Sequence, residues 1–300
     1  MKVRLLGAGA VGCPLAVRLE PVSSFALIMN SGRIGRYRAL GCTVNGVRHD
    51  FDIAEEDESD TDLIILSCKN TDLSSAMDVV EHHAGSRTVI MSLLNGIESE
   101  EILARRFGQD RLVWSFITNL SSVREGRKID CFSPRGGQII FNERDSRVTD
   151  RIRAIAGLFD RAGIWYEISS DILHDMWWKF AFNIIVNSLS AVMRLDYSQM
   201  NDNNAFRRLV RMLYHEIRAV ALSEGIRLTG DDEERCFAVL GSMNGRGKTS
   251  MLQDVEAGRE TENRFFAGSL SALGKKHSLP TPLCDMLYTM VEAASGACRE

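Results

Sequence analysis

Lys179, Asn183 and Asn187 recur at four-residue spacing within Lys-Phe-Ala-Phe-Asn-Ile-Ile-Val-Asn-Ser-Leu-Ser-Ala-Val-Met-Arg, an otherwise apolar run over 179–194. At ~100° per residue, Lys179, Asn183, Asn187, Ser190 and Arg194 fall within an arc of roughly 80° on one helix. The bland reading of a polar stripe is the wet face of an amphipathic helix. Such faces are usually built from Glu, Lys and Arg, whereas Asn is an indifferent helix former that competes for backbone hydrogen bonds. The stripe is therefore read as lining a ligand cleft, because two amides beside an ammonium suit a small polar ligand. A lysine with an ordinary pKa of about 10.4 is protonated at neutral pH, so Lys179 can supply both a proton and a positive charge. Desolvation beside Trp177, Trp178 and Phe182 would lower that value.

A second constellation lies at the start of the chain. Gly7-Ala8-Gly9-Ala10-Val11-Gly12 places Gly-x-Gly-x-x-Gly directly after the strand-like Lys2–Leu6 and before a helical pattern. The same spacing can be a plain strand-to-helix turn, but in this context it predicts dinucleotide binding, with pyrophosphate held at the helix N-terminus. The cofactor's ribose is read at the end of the second strand, where an acidic residue would favour a 2′-hydroxyl. No Asp or Glu occurs from Pro21 to His49, and Asn30-Ser-Gly-Arg33-Ile-Gly-Arg36 offers guanidinium groups instead. That favours NADPH, with Arg33 as the phosphate contact and Arg36 as a solvated helix residue. Lys69, after Ser67-Cys68, and Asn95, in Asn95-Gly96, sit on loops at strand carboxyl ends and face the same cofactor; an idle loop lysine and a plain turn are their bland alternatives.

Two further segments carry candidates. Ser250-x-x-Gln253 reads as a capping box opening a helix, which by itself would explain Ser250. Glu262 lies in Arg259-Glu-Thr-Glu262-Asn-Arg264, which is otherwise a solvated charge run.

Alternating patterns position the glycine loop. Strand-like runs at Val3–Leu6, Phe25–Met29, Leu63–Ser67 and Thr88–Leu93 alternate with helical ones at Cys13–Leu19, Thr71–His82 and Glu98–Phe107, which implies a parallel sheet covered on both faces. Leu112–Thr118, Arg127–Phe132 and Gln138–Phe141 are expected to extend that sheet to about eight strands. A helix at Val148–Arg161 and a strand at Trp165–Ile168 precede a boundary at Ser169-Ser170. Beyond it only helices are expected, at Asp175–Met193, Asn204–Glu224, Asp231–Ser242, Ser250–Lys276 and Pro282–Ala297. The fold class is α/β, with a Rossmann-type dinucleotide-binding domain over 1–169 and an all-helical substrate domain over 170–300.

Bulk properties narrow the ligand. With 300 residues, 45% hydrophobic and 25% charged, the chain has the composition of a soluble globular protein of two domains. A net charge of −4 and a pI near 5.9 provide no basic footprint for nucleic acid or an anionic membrane. Lys2 and Arg4 before an apolar run ending at Cys13 imitate a secretion signal, but the glycine spacing opposes that reading. No run reaches the 18 or more charge-poor apolar residues of a membrane helix. Seven scattered cysteines without a Cys-x-x-Cys pair suggest reduced thiols and a cytoplasmic location, and no metal-ligand spacing is present. A small-molecule partner is the default, and a homo-oligomer is compatible with the chain.

Gly7–Gly12, Lys69, Asn95-Gly96, Trp178-Lys179-Phe-Ala-Phe-Asn183-Ile-Ile-Val-Asn187, Ser250-Met-Leu-Gln-Asp254 and Thr261-Glu262 together resemble the ketopantoate reductase family, the 2-dehydropantoate 2-reductases. The resemblance implies NADPH-dependent reduction of a branched 2-oxo acid, ketopantoate to pantoate in pantothenate biosynthesis. It makes Lys179 the general acid, Asn183 and Asn187 substrate groups, Glu262 a substrate-binding carboxylate counted among the catalytic residues, and Ser250 the partner of the substrate carboxylate. The chain departs from family habit at Asn30, often Arg, and at Gly247, often Asn. Such chemistry is consistent with the residues, since hydride arriving at a carbonyl carbon leaves negative charge growing on oxygen. Another NADP-dependent 2-oxo or 3-hydroxy acid dehydrogenase, or a non-catalytic NADPH-binding redox sensor, are the alternatives.

Overall fold

A computed structural model describes residues 1–54, 60–133, 135–243 and 245–296, and the chain divides into two compact units, Met1–Ile172 and Leu173–Glu300. Among its described residues the first unit has eleven strands: β1 Lys2–Leu6, β2 Ser24–Ile28, β3 Cys42–Val44, β4 Val47–His49, β5 Leu63–Leu66, β6 Val89–Ser92, β7 Leu112–Thr118, β8 Ser122–Glu125, β9 Lys128–Cys131, β10 Gln138–Asn142 and β11 Trp165–Ile168. Its helices are α1 Gly12–Leu19, α2 Ser31–Leu40, α3 Leu73–His83, α4 Ser99–Phe107 and α5 Asp150–Ala162.

Seven strands form the main sheet in the order β11-β10-β7-β6-β5-β1-β2. The five from β7 to β2 run parallel, and β10 pairs antiparallel with β7. The strands are short aliphatic runs because both faces are covered, which makes successive residues core on opposite sides. Val3 and Leu5 pack with Leu15, Leu19, Ile152 and Phe159. Leu6, Ile64, Leu66 and Ile90 pack with Leu73, Val80 and Leu103 on the other face. Each such fully buried side chain contributes on the order of 1.5–3 kcal/mol.

The expectation of about eight strands in this sheet is corrected to seven, and Arg127–Phe132 does not extend it. Its core, β9, belongs to a separate four-stranded sheet in the order β4-β3-β9-β8. The β3–β4 hairpin turns on Asn45 and Gly46, both at positive φ (48° and 81°), which matches the right-handed twist of the flanking strands.

The second unit is helical: α6 Ile172–Phe182 (which starts at the last residue of the first unit), a π-helical turn Asn183–Asn187, α7 Ser188–Met193, α8 Tyr197–Asn201, α9 Asn204–Ser223, α10 Gly230–Ser242, α11 Ser250–Glu256, α12 Ala267–Lys276 and α13 Pro282–Gly296. The sequence-expected end of the last helix at Ala297 lies outside the described residues. Phe180, Ala181, Ile184, Ile185 and Val186 are all buried, so this stretch is a core helix, apolar on nearly every side. The single helix expected over Ser250–Lys276 is broken. α11 stops at Glu256, Gly258 adopts φ +62°, and Arg259 turns back so that its amide donates to Asp254 O (2.8 Å) and its Nε to Asp254 Oδ1 (2.7 Å). Glu262 consequently lies in a turn, just before a 3₁₀ turn at Asn263–Phe265.

Candidate functional site

The glycine loop leaves β1 under steric constraints that only glycine meets. Gly7 has φ +114°, and a Cβ there would stand 2.7 Å from the Ser67 carbonyl carbon. At Gly12 a Cβ would lie 1.8 Å from Gly7 O, so the first helical turn packs directly on the loop. Ser67 Oγ ties the two strand ends together by donating to Gly7 O (2.8 Å). Gly9 is different: a Cβ there would meet only Arg124 Nη1 at 3.7 Å, leaving its outer side open to a ligand. Ala8, Ala10 and Val11 are partly exposed, and Val11, the N-cap of α1, provides no side-chain cap. The Cys13 amide donates to Gly9 O (3.0 Å) and Pro14 has none, so it is the Gly12 amide, with no side-chain cap from Val11, that faces outward at this helix start, where a pyrophosphate would sit.

Arg33 stands in the first turn of α2, where its amide donates to Asn30 O (2.8 Å). Its side chain is 65% exposed and forms an ion pair with Asp72 at 3.3 Å. The absence of acidic residues from Pro21 to His49 thus does not leave this end of the sheet without a carboxylate. Lys69 is exposed, at the end of β5. Asn70 Nδ2 donates to Asn95 O (2.9 Å), joining the Lys69 loop to the Asn95-Gly96 loop after β6, in which Gly96 has φ +96°. Gly7–Gly12, Arg33, Lys69 and Asn95 thus all lie at or just beyond the carboxyl ends of parallel strands, where open α/β sheets bind ligands.

In the helical unit, the polar stripe is not a solvent face: Asn183 is 6% exposed, Asn187 8% and Ser190 0%. The π turn, with i→i+5 bonding, interrupts the regular α rhythm over the two asparagines; such turns recur at functional sites. Ser190 is engaged internally, donating to Asn187 O (2.9 Å) and bonding Thr249 Oγ1 (2.6 Å). Arg194 is exposed in the left-handed region (φ 54°), closing α7. Lys179 keeps partial exposure as a residue, yet burial of its ammonium among the apolar helix surfaces pulls its pKa down to about 8, against the opposing pull of Glu262. The Glu262 carboxylate thus acts electrostatically on Lys179.

Glu262 is brought there by the break after α11. Asn263, fully buried, anchors the turn by donating to Tyr288 O and Glu292 Oε1, both at 2.9 Å. The expected capping box Ser250-x-x-Gln253 is corrected. Thr249 is the cap, accepting from Leu252 N (3.2 Å), while Gln253 Nε2 donates back to Lys248 O (3.0 Å). Ser250 sits at the first helical position with its side chain exposed, so capping does not account for it. Thr249 and Asp72 went unread in the sequence. Thr249 has Leu252 rather than Glu or Gln three residues on, so no box marked it, and Asp72 meets Arg33 only through the fold.

A parallel sheet with a ligand-ready glycine loop, linked to a helical unit holding a desolvated lysine opposite a carboxylate, defines the class as a nucleotide-dependent oxidoreductase. Two family models narrow it, "Ketopantoate reductase PanE/ApbA" over residues 3–145 and its "C terminal" model over 171–295, and the chain belongs to the ketopantoate reductase family. It is an oxidoreductase acting on CH–OH groups that uses a pyridine nucleotide. The 2-dehydropantoate 2-reductase of Pyrococcus horikoshii is 28% identical over 98% of this chain and 97% of its own. A 2-dehydropantoate 2-reductase structure from Geobacter metallireducens superposes with a TM-score of 0.85 at 26% identity, covering 98% of this chain and 100% of that one. A D-mandelate dehydrogenase, solved with NADH and anilino(oxo)acetate, shares the fold at a TM-score of 0.87 and 23% identity, with 99% of both chains covered. No helix among the described residues is long and apolar enough to cross a membrane.

Proposed function

We propose that this chain reduces a 2-oxo acid to the 2-hydroxy acid with NADPH, ketopantoate to pantoate being the reaction to test first. The nucleotide is held by residues 1–169 and the substrate by 170–300, in the cytoplasm, where the free thiols of the six described cysteines are stable. The observation that carries the reading is the buried polar stripe of Asn183 and Asn187 beside Lys179, whose ammonium is desolvated and feels the carboxylate of Glu262. Gly7, Ala8, Gly9, Ala10, Val11 and Gly12 would cradle the pyrophosphate, with Arg33, Lys69 and Asn95 around the rest of the nucleotide. When bound, NADPH supplies the hydride. Lys179 Nζ donates a proton to the substrate oxygen as negative charge grows there, and with a pKa of about 8 it is mostly protonated at pH 7 while still a usable acid. Glu262 keeps that ammonium charged and accepts from a substrate hydroxyl, Ser250 donates to the substrate carboxylate, and Asn183 and Asn187 orient the oxo group. The decisive experiment is a screen of 2-oxo acids, ketopantoate included, following loss of NADPH or NADH absorbance. Turnover of ketopantoate with NADPH is expected. NADPH binding without oxidation by any 2-oxo acid would refute the enzyme reading and leave a redox sensor.

The likeness in fold to D-mandelate dehydrogenase favours one second reading, a dehydrogenase of another 2-oxo or 3-hydroxy acid. Turnover of an aromatic 2-oxo acid exceeding that of ketopantoate tenfold in kcat/KM would select it.

A further inference from the structure

We propose that Asp72 is a cofactor-specificity residue that opposes Arg33, holding down the preference for a 2′-phosphorylated nucleotide. The inference rests on the reading of Arg33 as the 2′-phosphate contact. Asp72 closes the 3₁₀ turn Asn70–Asp72, which follows Lys69 at the carboxyl end of β5. That turn is fixed at both ends: the Asp72 amide donates to Lys69 O (3.0 Å), and Asn70 Nδ2 donates to Asn95 O (2.9 Å). Asp72 also occupies the N-cap position of α3 but makes no side-chain cap bond there. Its carboxylate instead accepts from Arg33 Nη2 at 3.3 Å, across from the start of α2. An aspartate at an N-cap ordinarily satisfies its own helix. Here the backbone is helical at that position (φ −91°, ψ −5°), continuing the 3₁₀ turn into α3, so the carboxylate makes no cap and bonds instead the cation expected to receive the phosphate.

Both side chains reach water, at 65% and 37% exposure, and exposed pairs of this kind are held weakly. A nucleotide can therefore separate the pair, and what remains is the charge on each partner. A 2′-phosphate carries about −1.5 to −2 charges; it is attracted by Arg33 and repelled by Asp72. A 2′-hydroxyl carries none, and a carboxylate at this end of the sheet can accept a hydrogen bond from it, as the acidic residue after the second strand does in NAD-binding sheets. In this chain the acid is supplied by the loop after β5 instead, so one site contains an element for each cofactor.

The test is binding of NADPH and NADH to the full chain, followed by nicotinamide fluorescence at low and high salt. Asp72→Asn is expected to tighten NADPH roughly five- to tenfold at low salt, with NADH unchanged or slightly weaker, and the gain should shrink as salt screens the charges. Unfolding temperature reports whether the exposed substitution disturbs the fold. A ratio of the two dissociation constants within twofold of wild type overturns the proposal. Arg33→Ala, measured alongside, separates the two ideas. Unchanged NADPH affinity in Arg33→Ala removes Arg33 as the phosphate contact, whatever Asp72→Asn does. An Asp72→Asn variant with the wild-type ratio overturns the proposal even when Arg33 behaves as expected.

Discussion

Lys179 in the helical unit and Glu100 in the sheet unit each titrate near pH 8, both moved there by burial, yet they are opposite kinds of group. Burial disfavours the charged form, lowering the lysine and raising the carboxylic acid. Glu100 is 0% exposed in the first turn of α4, and its company is a chain of hydroxyls: Ser99 Oγ donates to Oε2 (2.9 Å) and bonds Ser92 Oγ (2.9 Å). Its other oxygen has no hydrogen-bond partner among the described residues. Lys179 retains some exposure and is opposed by a carboxylate, Glu262. At pH 7 Glu100 is thus a neutral, enclosed acid, whereas Lys179 is mostly protonated and only partly enclosed. Perturbation alone does not mark a catalytic group.

The comparison breaks most sharply on Lys179→Ala, which is expected to lower kcat for oxo-acid reduction by roughly 10²–10⁴ while leaving NADPH affinity nearly unchanged. A variant keeping more than a tenth of wild-type kcat would remove Lys179 from the role of acid. In the wild type, kcat/KM for reduction should fall as pH rises past about 8, because the protonated lysine is the active form. Glu262 pulls that pKa upward, so Glu262→Gln should move the falling limb to lower pH and raise KM for the oxo acid. A limb that stays in place would show that the carboxylate does not govern the lysine.

What the sequence revealed follows from the range of each constraint. The Gly7–Gly12 loop was legible because strand, turn and helix are contiguous, and the parallel strands because burial on both faces selects aliphatic runs. Asn183 and Asn187 stood out as polar groups in an apolar helix, although the π turn beneath them left no mark in the residue types. The separate small sheet went unseen, even with Asn45-Gly46 as a hairpin signal, because its strands are three and four residues long and its two hairpins are joined by the β3–β9 pairing, across more than eighty positions. The helical period continues through 257–262, so a helix was expected where the positive φ of Gly258 ends it and brings Glu262 toward Lys179. Within the charged segment at 259–264, Arg259 pairs locally with Asp254, whereas the action of Glu262 on Lys179 depends on tertiary packing.

Glu100 sharpens the other side of the comparison through stability. Its folded pKa of about 8 lies above the ordinary 4.5, so between those values the folded chain holds a proton that the unfolded chain has released. Stability contributed by this group is present below pH 4.5 and is lost as pH rises toward 8, at roughly 1.4 kcal/mol per pH unit. Glu100→Gln removes that slope and should be relatively more stable than wild type at pH 8 than at pH 5, with kcat changed less than threefold. Parallel stability profiles for the two proteins across pH 5–8, from denaturant unfolding, would show that the carboxyl is not held neutral.

The smallest expected effects separate two adjacent hydroxyls. Thr249 caps α11 and bonds the buried Ser190, so Thr249→Ala should cost about 1 kcal/mol or more and lower the unfolding temperature by roughly 2–4 °C. Ser250, exposed at the first helical position, has no capping bond to lose. Ser250→Ala should therefore leave the unfolding temperature within about 1 °C of wild type and raise KM for the oxo acid roughly two- to fivefold, with kcat nearly unchanged. Thermal unfolding and steady-state kinetics read the two roles separately. A Ser250→Ala variant that melts as early as Thr249→Ala and binds substrate normally would return Ser250 to a structural role and leave the substrate carboxylate to Asn183 and Asn187.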